Sequence, residues 1–228
     1  GVLILNECGL DPGIDHMSAM KLFDQIHKQG GKVISFKSYC GGLPSNPDNN
    51  PLGYQLSWSP EGVVLAVKNP AVLKVNGIVQ EIKAGKLFNH TFDVKIPGWE
   101  NPFEGYYNRD SVSYSRTYGL EAEVETFFRA TLRFPGWGKT LNAMYGLGLL
   151  DNETPLTAKT YGQLLSQSQN ESAKSLVICD DDLLERFEYL GLLSEREIPS
   201  NEALSESLQL HLDKVKTPLH ALLYLMKE

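Results

Sequence analysis

The tripeptide Phe134-Pro135-Gly136 divides the chain into two kinds of pattern, and this constrains the fold more than any other feature. Proline removes a ladder donor and glycine loosens the backbone, so no strand continues through both. Before the break the segments alternate with period two and are separated by turn signals. After it the apolar residues recur at helical spacing, in TLNAMYGLGLL, TAKTYGQLLSQS, DDDLLERFEYLGLL and NEALSESLQLHLDKV. Strands followed by a block of helices predict an α+β chain with a mixed sheet and a small all-helical part, rather than a doubly wound parallel sheet. Charge divides at the same place. Residues 1–137 carry 14 acids and 13 bases, whereas residues 138–228 carry 14 acids and 8 bases.

The strongest strand is VETFFRATLRF, Val124 to Phe134. Period two puts Val124, Thr126, Phe128, Ala130, Leu132 and Phe134 on a core face. Glu125, Phe127, Arg129, Thr131 and Arg133 fall on the other. Two arginines on one polar face are expected to lie close enough to engage one extended dianion or two carboxylates of one substrate; the alternative is that they pair with Glu125 or a neighbouring strand's acids. Upstream, LKVNGIVQEI predicts a hairpin with a type I′ turn at Asn76-Gly77. KVISFKSY and Phe92 to Ile96 read as further strands. Val63 to Val67 reads equally as a buried strand or as a helix entered through Ser59 and Pro60. The aromatic stretch PGWENPFEGYYNRDSVSYSRTYG reads as a loop, either the wall of a pocket around a polar ligand or a surface segment anchored by its rings.

Near the start, NECGLDPGIDHM marks a strand-to-helix crossing, with Gly1 to Leu5 as the strand. Asp11 is expected at the N-cap and Pro12 at the first helical position, ahead of an apolar face of Ile14, Met17, Met20, Phe23 and Ile26. Gly30 and Gly31 should end that helix. Asp11 therefore has two readings, as a cap or as a carboxylate facing a ligand. Cys40, followed by two glycines at a strand end, reads as a buried or pocket-lining thiol more than as a nucleophile, since no base adjoins it in sequence.

Four of the six arginines, Arg109, Arg116, Arg129 and Arg133, cluster in one short region. A rigid donor fork suits carboxylate or phosphate, so the cluster points to a small anionic ligand. A net charge of −7 argues against nucleic acid as the main partner. Apolar runs are too short for a membrane span. The three cysteines show neither zinc-ligand nor disulfide spacing, which suggests no metal site and a reducing, intracellular compartment. Asp180 to Asp182 read as helix capping rather than as metal ligands. No GxGxxG or Walker sequence occurs.

Five strings in register, NECGLDPGIDHM, SYCGGLP, NPLGYQLSWSPEGV, NRDS and RATLRFPGW, carry a resemblance to the glutamate-forming saccharopine dehydrogenases, including the matching part of bifunctional aminoadipic semialdehyde synthase. The resemblance is strong to Trp137 and looser beyond. It implies a substrate-binding and dimerisation domain, similar to the C-terminal domains of homoserine and glyceraldehyde-3-phosphate dehydrogenases, with an inserted helical domain. The implied division is 1–11 as the last strand of a Rossmann domain otherwise absent from this chain, 12–137 as the incomplete substrate domain, 138–216 as the helical insertion, and 217–228 as the return.

The resemblance further implies NAD(P)-dependent oxidation of the secondary amine of saccharopine, giving glutamate and 2-aminoadipate 6-semialdehyde. It implies NAD or NADP bound mainly by the absent domain, and an isolated fragment that is inactive. It also implies a homodimer in the cytoplasm, or in mitochondria for an animal-type bifunctional enzyme. Asp11 and Cys40 match positions near the substrate, with Asp11 the candidate base. Arg109, Asp110 and Arg129 match positions reaching its carboxylates, and Arg133 belongs to the same motif. Tyr107, Ala130 and Phe134 depart from the family's usual proline, glycine and tyrosine, which touches pocket shape and leaves every charge in place. Two alternatives remain: a related reductase acting on another carboxylated imine or amine, and a non-enzymatic interaction domain.

Overall fold

The computed structural model describes residues 1–209 and 216–228. Its sheet is organised around β6 (Thr126–Arg133). Strand β1 (Ser35–Cys40) runs parallel along one side of it, from Ser35 opposite Thr126 to Cys40 opposite Thr131. On the other side two partners share its length. The hairpin of β2 (Ala71–Val75) and β3 (Ile78–Ile82) meets it at Lys74 and Phe127. The antiparallel pair β4 (Phe92–Val94) and β5 (Phe103–Tyr107) meets it from Tyr107 opposite Ala130 to Glu104 opposite Arg133. The order β3-β2-β6-β5-β4, with β1 parallel to β6, is the mixed sheet expected. The hairpin turn is also as expected, with Asn76 at φ 50° and Gly77 at φ 79°, the left-handed pair that a type I′ turn requires.

Strand β6 has no solvent face. Phe127 is fully buried and joins Ala19 and Phe23 of helix α1 (Ile14–Lys28), together with Tyr118 and Leu120. Phe128 and Ala130 join a larger core. The expectation of one core face and one open polar face is thus corrected: elements pack on both sides, and Arg129 and Arg133 are buried at 8% and 4% exposure.

The larger core begins at Leu52, Val63 and Leu73 and passes through Trp137 into the helices. There it takes up Leu141 of α4 (Trp137–Gly146), Phe187 of α7 (Asp181–Tyr189) and Leu222 of α9 (Pro218–Lys227). Sheet and helices therefore share one continuous apolar body. A polar joint reinforces the seam. The Glu104 carboxylate of β5 accepts the Gly136 amide at 2.9 Å and the Gly138 amide at 2.6 Å, satisfying donors that the start of α4 would otherwise leave unpaired. Arg186 of α7 donates to the Pro135 carbonyl and the Thr140 hydroxyl, each at 3.1 Å.

The helical pattern beyond residue 137 resolves into α4, α5 (Tyr161–Ser166), α6 (Glu171–Cys179), α7, α8 (Asn201–Leu208) and α9. The end of NEALSESLQLHLDKV, 210–215, lies outside the described residues. Asp180 caps α7 by accepting the Leu183 amide at 3.1 Å, and Lys139 pairs with it at 2.6 Å. The segment Val63 to Val67 turns out helical: α2 (Pro60–Val64) continues as a 3-10 turn over Leu65–Lys68.

Three expectations fail. The aromatic loop contains β5 and α3 (Val112–Thr117). Its glycines and prolines hide a strand that exists by pairing with β6. Gly1 to Leu5, expected as the last strand of a domain otherwise absent from this chain, is exposed and pairs with no strand among the described residues. Helix α1 starts two residues later than expected, with Gly13 at the N-cap in place of Asp11. Its apolar face is largely open: Ala19 and Phe23 are buried, whereas Ile14, Met17, Met20 and Ile26 are 51%, 65%, 36% and 38% exposed. The helix meets the sheet along the single line of residues i and i+4. Its end follows expectation, with the Gly30 and Gly31 amides donating to His27 and Ile26 carbonyls at 2.9 and 3.0 Å.

Candidate active site

The turn ahead of α1 folds back on itself. The Gly9 amide donates to the Pro12 carbonyl at 3.1 Å, and the Ile14 and Asp15 amides donate to the Gly9 and Leu10 carbonyls at 2.9 and 3.1 Å. Gly13 has φ 150°, and a Cβ there would strike the Gly9 backbone, so only glycine fits. The Asp11-Pro12 peptide is cis. Asp11, which does not cap the helix, and Asp15, which accepts the Gly13 amide at 2.7 Å through Oδ1, both turn toward Arg129 in the middle of β6. Nη2 of Arg129 donates to Asp11 Oδ1 and, at 3.0 Å, to Asp15 Oδ2. The three side chains are 9%, 17% and 15% exposed for Arg129, Asp11 and Asp15, so this ion-paired triad is largely screened from water.

Backbone contacts hold Arg129 in place. Its amide donates to Ser111 Oγ at 2.9 Å, and its carbonyl accepts the Asn108 amide at 2.9 Å. Burial works against the guanidinium charge, but Asp11, Tyr114 and Asp15 outweigh it and raise its pKa. Burial also works against the Asp15 carboxylate; the Gly13 and His16 amides, His16 and Arg129 together hold it below the usual carboxylate value. Both partners are thus ionised at neutral pH. Arg129 further lies over the Tyr114 ring, 4.5 Å from its centroid. Both of its bonds to the acids leave from Nη2, and Arg129 Nε is buried with no hydrogen-bond partner among the described residues.

Cys40 closes the cluster from the end of β1, half-buried beside Asp11. Gly41 follows because a Cβ there would strike the Leu132 carbonyl. Burial first, then the Asp11 charge and its hydrogen bond, push the Cys40 thiol up to about 11. It remains protonated at neutral pH and serves as a neutral wall. Peptide-resolved alkylation at mildly alkaline pH should find Cys40 about a hundredfold slower than an ordinary thiol, following its thiolate fraction. Rates equal to that of exposed Cys179 would contradict this.

The other expected residues lie apart. Arg109 is exposed, with φ 49°, and among the described residues no ion pair joins it to the triad. Asp110 accepts the Val112 and Ser113 amides at 3.0 and 3.2 Å, capping α3. Arg133 is four residues from Arg129, roughly 13 Å along a strand. It enters a separate aromatic enclosure, 4.7 Å from the Tyr54 centroid and 5.8 Å from that of Trp137. Arg129 and Arg133, expected to engage one extended dianion or two carboxylates of one substrate, thus stand in different surroundings, the triad and the aromatic enclosure.

Sequence reasoning missed Asp15 and His16, and it held Tyr114 and Tyr118 only as part of an aromatic loop, read as a pocket wall or as an anchored surface segment. A signal was available. Asp15 and His16 lie in the first turn of the helix that the Asp11 turn launches, and Tyr114 and Tyr118 are spaced i, i+4 along α3 and its C-cap, a helix mistaken for loop. Among the described residues no group of His, Cys, Asp and Glu could hold a metal ion, and no helix is long and apolar enough to cross a membrane. Nor does a glycine-rich turn lead from a parallel strand into a helix: β1 runs into Gly41, Gly42 and a polar loop.

The model of the saccharopine dehydrogenase C-terminal domain matches residues 9–228, nearly the whole chain. The chain belongs to that family. Among curated relatives, the saccharopine dehydrogenase [NADP(+), L-glutamate-forming] of Saccharomyces cerevisiae is 37% identical over 225 residues, covering 90% of this chain and 50% of its own length. The alpha-aminoadipic semialdehyde synthase of Arabidopsis thaliana is 38% identical over 227 residues, covering 88% of this chain and 21% of its own. The mitochondrial alpha-aminoadipic semialdehyde synthase of Rattus norvegicus is 37% identical over 235 residues, covering 93% and 25%. Among solved structures, the apo saccharopine dehydrogenase (L-Glu forming) of S. cerevisiae superposes with a TM-score of 0.71 at 35% identity, covering 83% of this chain and 46% of that one. The chain thus spans between about a fifth and a half of the length of these relatives.

Proposed function

We propose that this chain is the substrate-side part of a saccharopine dehydrogenase (L-glutamate-forming), an oxidoreductase of lysine metabolism acting on the secondary amine of saccharopine. The observation that carries the proposal is the unpaired donor of Arg129. Asp11 and Asp15 both occupy Nη2, so buried Nε remains free to donate to a further acceptor. A carboxylate is the acceptor that the guanidinium fork fits best, and saccharopine carries three. The neutral Cys40 thiol and the Asp11 carboxylate stand on the same side of the triad, where an amine would find an acceptor. Arg109, exposed and outside the triad, is a second group for a distal carboxylate.

In this reading Arg129 orients the substrate, the acids keep the guanidinium aligned, and Asp11 is the candidate proton acceptor. NAD or NADP supplies the hydride acceptor and is held by other parts of the parent protein. The same reading takes the parent as a homodimer, cytoplasmic, or mitochondrial if bifunctional. Family membership supports it.

The deciding experiment is a steady-state assay of the full-length parent with saccharopine and each nicotinamide cofactor. Saccharopine-dependent cofactor reduction is expected. A folded parent that reduces neither cofactor, or that prefers another carboxylated amine in a substrate panel, would overturn the assignment.

A further inference from the structure

His16 lies in the first turn of α1 and takes no part in the ion-paired triad, yet it is bound on several sides. Its Nδ1 lies 2.5 Å from the Tyr118 hydroxyl. Its ring stacks on Tyr114 with centroids 5.3 Å apart and planes at 15°, and meets Tyr118 edge-on at 5.7 Å. The side chain is 17% exposed. Burial, together with Asp15, Tyr114 and Asp11, outweighs Arg129 and pushes the Tyr118 phenol up to about 12. The phenol therefore keeps its proton and is able to donate it to Nδ1. Nε2 of the ring lies 3.4 Å from the Glu7 carboxylate without hydrogen-bond alignment.

Two of these neighbours also belong to Arg129. The Tyr114 ring that stacks on His16 carries the Arg129 guanidinium 4.5 Å from its centroid. The Asp15 carboxylate that accepts from Arg129 at 3.0 Å lies 3.9 Å from His16 Nδ1. His16 and Arg129 thus share one aromatic plane and one acid. A displacement of the imidazole must move one or both, and the guanidinium with them.

We propose that His16 is a positioning residue: acting through Tyr114 and Asp15, it fixes where the Arg129 guanidinium stands and hence where a substrate carboxylate is received. Histidine suits the place because it supplies a flat ring for Tyr114 and an acceptor for Tyr118 at once. Phenylalanine keeps the first contact, asparagine keeps the second, and alanine keeps neither. The kinetic part of the proposal rests on the functional reading above, whereas the geometric part does not.

The test uses the full-length parent. His16→Ala should raise the KM for saccharopine roughly tenfold or more while kcat stays within about threefold, because a misplaced carboxylate clamp weakens ground and transition states alike. His16→Asn, which restores the acceptor, should recover part of the loss. A readout independent of the reaction is the alkylation rate of Cys40, whose thiol senses Asp11, Asp15 and Arg129. That rate should change severalfold in His16→Ala relative to Cys179 on the same molecule. If His16→Ala does not fold, Tyr118→Phe, which removes one hydroxyl, carries the same expectations. A fall in kcat at constant KM, or an unchanged KM with an unchanged Cys40 rate, overturns the proposal. If the wild-type parent does not oxidise saccharopine, the functional reading fails while the Cys40 rate still decides the positioning role.

Discussion

Arg129→Met is expected to destabilise the chain by about 3–5 kcal/mol, the usual cost of deleting one member of a buried ion pair. Methionine fills the volume of the arginine stem, so the loss measures charge rather than a cavity. Without the guanidinium, Asp11 and Asp15 converge on one point with no cation between them. Such a pair either shares a proton or moves apart, and either course distorts the turn that launches α1. For a domain of this size the thermal midpoint should fall by roughly 10 °C.

The pH dependence supplies a second check. Asp15 is held below its ordinary value of 3.8 in the folded state, so the stability it contributes is present above that pH and fades as the pH falls through the folded value. In Arg129→Met the Gly13 and His16 amides and His16 still hold the Asp15 carboxylate down, so only the smaller part contributed by the guanidinium should be gone and the stability curve below about pH 4 should flatten slightly. Adding Asp11→Asn should return part of the loss, because it removes one of the two stranded charges, and a double-mutant cycle measures the coupling. Denaturant melts of Arg129→Met, Asp11→Asn and the double variant decide the matter. An Arg129→Met midpoint equal to wild type would mean that the triad is already open to water.

How far the sequence reaches into this site depends on the residue. Strand β6, the Asn76-Gly77 hairpin, the helical block and the Asp180 cap were all legible, since each is specified by local period or turn chemistry. Asp11, Cys40 and Arg129 were legible as candidates, but their meeting was not. It depends on the parallel pairing of β1 with β6, a contact between segments some 90 residues apart that no local pattern encodes. Asp11 misled for a physical reason. Asp before Pro is a good helix start, but Asp15, four residues on, took over the contact with the entering amides by accepting from Gly13 at 2.7 Å. Tyr114 and Tyr118 were hidden by a short helix among prolines and glycines. Arg133 misled through the strand pattern itself. A shared face was read as a shared ligand, although the residues along it pass from the polar triad into an aromatic enclosure.

That enclosure leads to the residue on which sheet and helices most depend. Trp137→Ala should cost about 3–5 kcal/mol, the range for removing a fully buried large aromatic side chain. Trp137 is 1% exposed, begins α4, and packs its ring 4.6 Å from that of Tyr54, with the Arg133 guanidinium 5.8 Å away. It thus touches the loop before α2, the end of β6 and the start of the helical block at once. Its loss opens a cavity in the core that the sheet and helices hold in common. Because that core is continuous, damage at the seam should lower the stability of both parts together. The loss of tertiary signal from the sheet and the loss of helical signal should coincide in one transition, shifted to lower denaturant. Trp137→Phe should cost distinctly less, since it keeps an aromatic ring against Tyr54. Separate melting of the helices, with the sheet transition unmoved, would show instead that the helical block folds as a unit of its own and that Trp137 serves that block alone.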